Sequence, residues 1–224
     1  MARTFCFDMY GTLCDTSSVT ATLGEELGVS AALVDEIDAT WRRRQLEYAN
    51  QVSLMEAYRP FWEVTSAALD YALARYALSP DEETRERILD AYNHLDPHEG
   101  AAETLERLGA ADHAVTVLSN GNPEMLERLA ENAGLAPHLD DLVSADEVST
   151  FKPSPAVYEN AAERTGRDIG DCTLVSGNAW DVAGAGAAGM ETAWVNRARD
   201  PPEEIGADPT DEFRTLTDVA VAFE

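Results

Sequence analysis

A chain of 224 residues with 45% apolar side chains is long enough for one well-cored domain carrying an insertion, or for two small domains, and too apolar for wholesale disorder. Its 42 acidic residues against 16 basic ones leave a formal charge of -26; such a surface repels phosphate backbones and anionic lipid, which argues against nucleic-acid and membrane-surface roles. Fifteen of the basic residues are arginine and one is Lys152, and an acidic, lysine-poor surface suits a protein that stays hydrated at molar salt, where the Debye length is only about 3 Å.

In chain order, the apolar run Arg3-Thr4-Phe5-Cys6-Phe7 predicts a buried strand that carries Asp8 at its C-terminal end. Residues from about 17 to 95 then read as helix after helix. Leu23, Leu27, Leu33, Val34 and Ile37 recur at helical spacing, Trp41, Gln45 and Tyr48 continue the pattern, and Phe61 to Tyr76 and Asp81 to Tyr92 form further amphipathic stretches. Beyond Pro97 the pattern alternates. Helices are predicted over Ala101 to Leu108, Pro123 to Ala133, Pro155 to Thr165 and Ala179 to Ala188. Strands are predicted at Ala114 to Leu118, Asp141 to Ser144, Cys172 to Val175 and Thr192 to Val195. The Pro- and acid-rich stretch 198 to 211 reads as a surface loop. This alternation implies an α/β fold with a doubly wound parallel sheet and a helical cap inserted after the first strand. The expected division is 1-15 with 97-224 as the core, and 16-96 as the cap.

Cys6, Cys14 and Cys172 are odd in number and lack CxxC spacing, so they read as reduced thiols rather than a disulfide framework or a zinc site. No basic-plus-apolar leader opens the chain, and no apolar run approaches the ~18 residues of a membrane span. The expectation is a soluble cytoplasmic protein.

Polar clusters fall where predicted strands end: Asp8, Ser119-Asn120, and Ser176 to Asn178. In open parallel sheets ligands bind at those strand ends. A carboxylate at Asp8 can attack an electrophile held above the sheet, with Gly11 permitting a tight turn beneath it, although an Asp after a strand also serves simply as a turn cap. Lys152, retained in a chain that otherwise uses arginine, can keep a nucleophilic carboxylate ionised. Asp181, near the start of a predicted helix, can position water or merely complement the helix dipole. Ser119 and Asn120 open a helix whose backbone N–H groups suit an anion.

Phe7-Asp8-Met9-Tyr10-Gly11-Thr12-Leu13, Leu118-Ser119-Asn120-Gly121, Lys152-Pro153 and Ser176-Gly177-Asn178-Ala179-Trp180-Asp181 together resemble the four motifs of the haloacid dehalogenase superfamily. More narrowly they resemble its L-2-haloacid dehalogenases (type II). Trp41-Arg42-Arg43-Arg44-Gln45-Leu46-Glu47-Tyr48 is similar to that family's cap helix, and Thr192-Ala193-Trp194-Val195-Asn196-Arg197 to its late strand. Magnesium phosphohydrolases of the superfamily carry an acid two residues after the nucleophile and an Asp after the glycine of the fourth motif. Tyr10 and Asn178 stand there instead, removing a general acid and a hard-oxygen metal ligand.

The resemblance implies hydrolysis of (S)-2-haloacids to (R)-2-hydroxy acids through an ester on Asp8, with no metal and no other cofactor. It implies that Lys152, Ser176 and Asp181 organise Asp8 and the water, that Thr12 supports the nucleophile loop, and that Tyr158 assists near Lys152. Ser119 would hold the substrate carboxylate, and Arg42 and Asn120 the departing halide. Tyr10, Leu46, Phe61, Asn178 and Trp180 would wall the pocket. Arg43, where a neutral glutamine is expected, would make the pocket more cationic, and Gly177 replaces a usual Ser. The implied partners are a small 2-haloacid and a second copy of the chain in a homodimer. A phosphatase of the same superfamily, and a catalytically quiet carboxylate-binding protein on the same scaffold, are the alternatives.

The composition generates one expectation that needs no structure. Thermal and denaturant midpoints should rise, and activity should increase, as KCl is raised to molar concentration. Full stability and activity without added salt would remove the salt-adapted reading.

Overall fold

Alternation along one short strand sets up both halves of the core. In β1 (Thr4–Phe7) Phe5 and Phe7 join one apolar cluster and Cys6 another, and all are fully buried. The computed structural model describes residues 2–224. After β1 come β2 (Cys14–Asp15), the helices α1 (Val19–Leu27), α2 (Ala31–Leu54), α3 (Phe61–Arg75) and α4 (Glu82–Asp90), and β3 (Asp96–Pro97). Then follow α5 (Ala101–Ala110), β4 (Ala114–Ser119), α6 (Pro123–Asn132), β5 (Asp141–Ser144), α7 (Pro155–Thr165), β6 (Cys172–Ser176), α8 (Ala179–Ala188), β7 (Glu191–Val195), β8 (Asp211–Phe213) and α9 (Leu216–Phe223).

The sheet runs β5-β4-β1-β6-β7-β8, and every pairing in it is parallel. β1 is central: Phe7 pairs with Val117 of β4 on one side and Val175 of β6 on the other. The chain winds outward first through β4 and β5 and then through β6, β7 and β8, so the switch in direction lies beside β1. A parallel sheet needs both faces covered. Val115, Val117, Val175 and Val195 pack on the side of α5 and α9, and Leu118, Val143 and Leu174 on the side of α7 and α8.

The helical block departs and returns through a two-strand stem, with Cys14 opposite Pro97 and Asp15 opposite Asp96. Its long helix α2 lies on α3 through Ile37, Trp41, Ala68, Leu69 and Ala72. Two buried polar contacts fix that packing: Trp41 Nε1 donates to the Thr65 carbonyl at 2.9 Å, and Gln45 Nε2 to Thr65 Oγ1 at 2.6 Å.

The stem strands, β8 and α9 lie outside the expected elements. Stretch 198 to 211 is expected to be loop, yet Asp211 already pairs with Ala193. Two-residue strands have no periodicity to read, and β8 (Asp-Glu-Phe) is acidic except at Phe213, which packs against Phe223 with ring centroids 6.2 Å apart.

Gly184 is where this packing bears on function. A β-carbon there would lie 2.5 Å from Pro153 Cβ and 2.8 Å from the Tyr158 hydroxyl, so α8 lies tight against the Lys152-Pro153 segment. Alanine gains about 1 kcal/mol over glycine inside a helix, but overpacking of a tight core costs roughly 1–3 kcal/mol. Gly184→Ala is therefore expected to lose up to about 2 kcal/mol in urea unfolding, together with activity. Wild-type stability and turnover would show that the segment moves aside freely.

Candidate active site

Asp8 leaves β1 at the sheet's C-terminal edge, its backbone N–H still bonded to the Val175 carbonyl at 3.0 Å. The chain then turns over Met9, whose carbonyl accepts from the N–H groups of Leu13 and Cys14 at 3.1 and 2.9 Å. Gly11 sits in the left-handed region at φ 81°, which a glycine occupies without strain. This turn brings Thr12 back to Asp8.

The Asp8 carboxylate is buried and held by three donors. Lys152 Nζ reaches Oδ1 at 3.0 Å, while Thr12 Oγ1 and Asn178 Nδ2 each reach Oδ2 at 2.8 Å. Asn178 also donates to the Tyr10 carbonyl at 3.0 Å, which ties the end of β6 to the nucleophile turn. Thr12 Oγ1 in turn accepts the Gly177 N–H at 2.8 Å.

Behind Asp8 the network continues inward. Lys152 Nζ donates to Asp181 Oδ2 at 2.8 Å, and the Tyr158 hydroxyl donates to Asp181 Oδ1 at 2.8 Å. Lys152 is fully enclosed. Burial alone would lower its proton affinity, but the carboxylates of Asp181 and Asp8 outweigh that and hold it above the usual lysine range. Burial pushes Asp181 up, against the pull of Lys152, and the Asp8 charge adds to the rise. Burial, then the charge of Asp181, also drives the Tyr158 phenol far up, so it stays a donor.

In front of Asp8 a cavity of about 190 Å³ opens between sheet edge and helical block. Asp8, Tyr10, Ser119, Asn120, Asn178 and Trp180 line it from the strand ends; Arg42, Leu46 and Phe61 line it from α2 and α3. All nine are residues singled out in the sequence. Thr12, Lys152, Tyr158, Ser176 and Asp181 are not on its wall but lie behind the nucleophile. Ser176 is buried and its hydroxyl accepts the Asn178 N–H at 3.1 Å, so its visible action is on the turn that carries Asn178. Asn120 Oδ1 accepts the Lys152 backbone N–H at 2.8 Å, fixing the lysine's segment.

Arg43 corrects an expectation. Its side chain is 57% exposed and does not line the cavity; its nearest partners are Glu47 at 3.9 Å and Thr40 Oγ1 at 3.5 Å. One residue along a helix turns the side chain by about 100°, so adjacent arginines cannot share a face. Arg44 likewise stacks on Tyr71, its guanidinium carbon 4.0 Å from the ring centroid. The pocket is therefore not made more cationic by Arg43.

The sequence reading missed Thr16 and Gln45 on the cavity wall, and gave Gly11, which also lines it, only as the turn beneath the bound group. Gln45 had a signal: with Arg42 and Leu46 it follows the i, i+3, i+4 spacing of one helix face. Arg197 was missed as a support. It donates to the carbonyls of Gly11 at 3.2 Å and Thr12 at 2.9 Å, clamping the nucleophile turn from below. Gly177 is explained by the same clamp, since a β-carbon there would lie 2.7 Å from the Gly11 carbonyl oxygen and 3.1 Å from Arg197 Nη1.

The donor set does not fit a magnesium ion. Such an ion asks for converging hard oxygens, whereas an ammonium bridges Asp8 and Asp181 and the Asn178 amide aims its N–H at Asp8. These groups converge on the Asp8 carboxylate, which faces an open cavity.

A family model for haloacid dehalogenase-like hydrolases matches residues 2–189. The chain is 41% identical to (S)-2-haloacid dehalogenase 4A of Burkholderia cepacia over 201 residues, covering 90% of this chain and 86% of that one. It superposes on the crystal structure of a dehalogenase with intermediate complex at TM-score 0.93 and 38% identity, covering 99% of this chain and 96% of the other. The L-2-haloacid dehalogenase from Xanthobacter autotrophicus with chloropropionic acid covalently bound matches at TM-score 0.91 and 32% identity, covering 99% and 98%.

The bridged carboxylates generate a stability prediction. Removing one partner from a buried charge network costs roughly 3–5 kcal/mol, so Lys152→Met should lose about that much in urea unfolding and lose turnover. Because the folded lysine pKa is raised, its contribution is fully present below the ordinary value near 10.4 and is lost as pH rises through the folded value. The wild-type protein should therefore lose stability on that alkaline limb, and Lys152→Met should lack it. An unchanged midpoint in the variant would show that the bridge is dispensable.

Proposed function

Given that this chain belongs to the haloacid dehalogenase-like hydrolases and, within them, to the (S)-2-haloacid dehalogenases, we propose that it hydrolyses the carbon–halogen bond of small (S)-2-haloacids through a covalent ester on Asp8. The observation that carries this reading is the Asp8 carboxylate itself: three donors hold it, a buried ammonium opposes it, and it faces a cavity of about 190 Å³.

Asp8 attacks C2 from the side opposite the halogen. A carbon–oxygen bond forms, the carbon–halogen bond breaks, and halide leaves with the bonding pair without needing a proton. Water then adds to the carbonyl carbon of the Asp8 ester, releasing a 2-hydroxy acid and restoring the carboxylate. Displacement at C2 happens once, so configuration inverts to (R). Asp181, whose burial favours the protonated form, takes a proton from the attacking water, and the departing C2 oxygen takes one as the hydroxy acid is released. The one surplus proton is lost to solvent, which returns Asp181 and Asp8 to their starting forms. Thr12 and Asn178 hold the attacking carboxylate in one orientation. Ser119 receives the substrate carboxylate, Arg42 and Asn120 receive the halide, and Tyr10, Leu46, Phe61 and Trp180 shape the space around C2. No step in this scheme calls for a metal.

The chain's setting is part of the same proposal. The charge of -26, with lysine confined to the buried Lys152, supports a salt-adapted protein. Three free, buried cysteines support a reducing cytoplasm. Among the described residues no helix is long and apolar enough to cross a membrane. Leu54 and Met55, exposed at the end of α2, offer apolar surface for the expected homodimer.

The test is halide release from separate L and D enantiomers of 2-chloropropionate, at high salt with EDTA present. Release from the L form alone, abolished in a folded Asp8→Asn variant, is the expected result. No release from folded wild-type protein would overturn the dehalogenase reading, and substantial activity in Asp8→Asn would remove Asp8 as nucleophile.

A further inference from the structure

Arg42 supplies the one guanidinium among the cavity-lining residues, and it is already engaged. One turn earlier on α2, Asp38 forms an ion pair with it, and Arg42 Nη1 donates to Thr16 Oγ1 at 2.8 Å. The pair is unequal. The Asp38 side chain is 3% exposed and that of Arg42 38%, so the anion is the buried member and the cation the one facing the cavity. The other Asp38 oxygen, Oδ1, is buried with no hydrogen-bond partner among the described residues. Burial makes ionisation of Asp38 unfavourable, and Arg42 opposes that effect, while Asp35 and Asp15 add further negative charge. A carboxylate in that position depends on Arg42 for its charge balance, which an ordinary i, i+4 surface pair does not.

We propose that Asp38 is the resident counter-anion of Arg42: it holds the guanidinium toward the cavity and competes with halide for it, which sets how tightly the leaving anion is retained. The inference deepens the dehalogenase reading and rests on it for the identity of that anion. An unopposed guanidinium in a half-enclosed pocket would bind halide strongly. Such a group would assist departure from C2 but would also delay product release, and in molar chloride it would be occupied before substrate arrived. With Asp38 beside it, the guanidinium gains only the difference between halide and carboxylate. Asp38 acts through Arg42 and touches no reacting atom, so it is a positioning residue.

The experiment is a bromide and chloride titration at constant ionic strength, set with gluconate. Affinity is read by calorimetry and by tryptophan fluorescence, since Trp180 lines the cavity. The proteins are wild type, Asp38→Asn, Asp38→Ser, Arg42→Gln, and Asp38→Asn combined with Arg42→Gln. The serine variant serves where asparagine fails to fold. Halide affinity is expected to rise by at least about fivefold, the lower end of a typical coupling between sites, when Asp38 loses its charge. KM for L-2-chloropropionate should fall in step, and product inhibition by chloride should tighten. In the Arg42→Gln background the Asp38 effect should vanish. Unchanged or weaker halide affinity in a folded Asp38 variant, or an effect that persists without Arg42, would overturn the proposal. The titration needs no turnover, so a protein that hydrolyses no haloacid would remove the dehalogenase reading while the halide affinities still decide the role of Asp38.

Discussion

The ammonium of Lys152 between Asp8 and Asp181 is the interaction on which the site depends. Three ionisable groups lie side by side in a buried region, and without the cation two carboxylates would face each other out of water. Neither could then stay ionised at low cost. With it, the Asp8 carboxylate faces the cavity while Asp181 stays behind, drawn toward protonation by burial. The same bridge separates two chemical tasks. In the proposed reaction the front carboxylate would attack carbon and the rear one would take the proton from water. Lys152 touches both, yet it is absent from the cavity wall, so its ammonium contacts Asp8 rather than the cavity itself.

The fold's task is to hold that bridge. Asp8 follows β1 and Asn178 follows β6, and these strands are adjacent at the point where the sheet changes winding direction. Lys152 comes from the segment between β5 and α7, held by Asn120 at the end of β4. Asp8, Asn178 and Lys152 therefore arrive on three different strand ends or loops, and rigid parallel pairing sets their spacing. The turn over Gly11 is fixed from three directions: by Asn178 at the Tyr10 carbonyl, by the Gly177 N–H at Thr12, and by Arg197 at two carbonyls. Preorganisation of this kind lowers the entropy lost when the nucleophile meets carbon.

The helical block contributes a different kind of surface. It places Leu46 and Phe61 as apolar wall and Arg42 as the cationic group, opposite a strand edge made mostly of polar side chains. The proposed substrate, a small anion with an apolar carbon and a leaving halide, would meet both. Trp41 and Gln45, anchored on Thr65, hold the register of α2 against α3 and so decide which side of α2 the cavity sees.

Much of this was legible in the residues alone. Apolar runs ending in Asp8, Ser119 and Ser176 marked the strand ends, because a fully buried parallel strand has no polar residue until it emerges. The isolated Lys152 stood out because composition had driven lysine from the rest of the chain. Arg197, Thr16 and the consequence of Gly177 were not legible: Arg197 acts through backbone carbonyls, Gly177 through close approach, and Thr16 through a hydroxyl that meets Arg42, none of which any spacing encodes. The stem strands and β8 escaped because pairing partners far away in the chain, rather than their own periodicity, make them regular; α9, by contrast, carries its own signal in the Thr215–Asp218 capping box and the spacing of Leu216, Val219 and Ala220. Arg42, Arg43 and Arg44 are equivalent as a string. The rotation of about 100° per residue in α2, with Trp41 buried against Thr65, turns Arg42 to the cavity and its neighbours elsewhere. Residue chemistry alone thus determined which groups could act; only tertiary structure decided which would face one another, because helix rotation and strand order convert distant positions into contacts of about 3 Å.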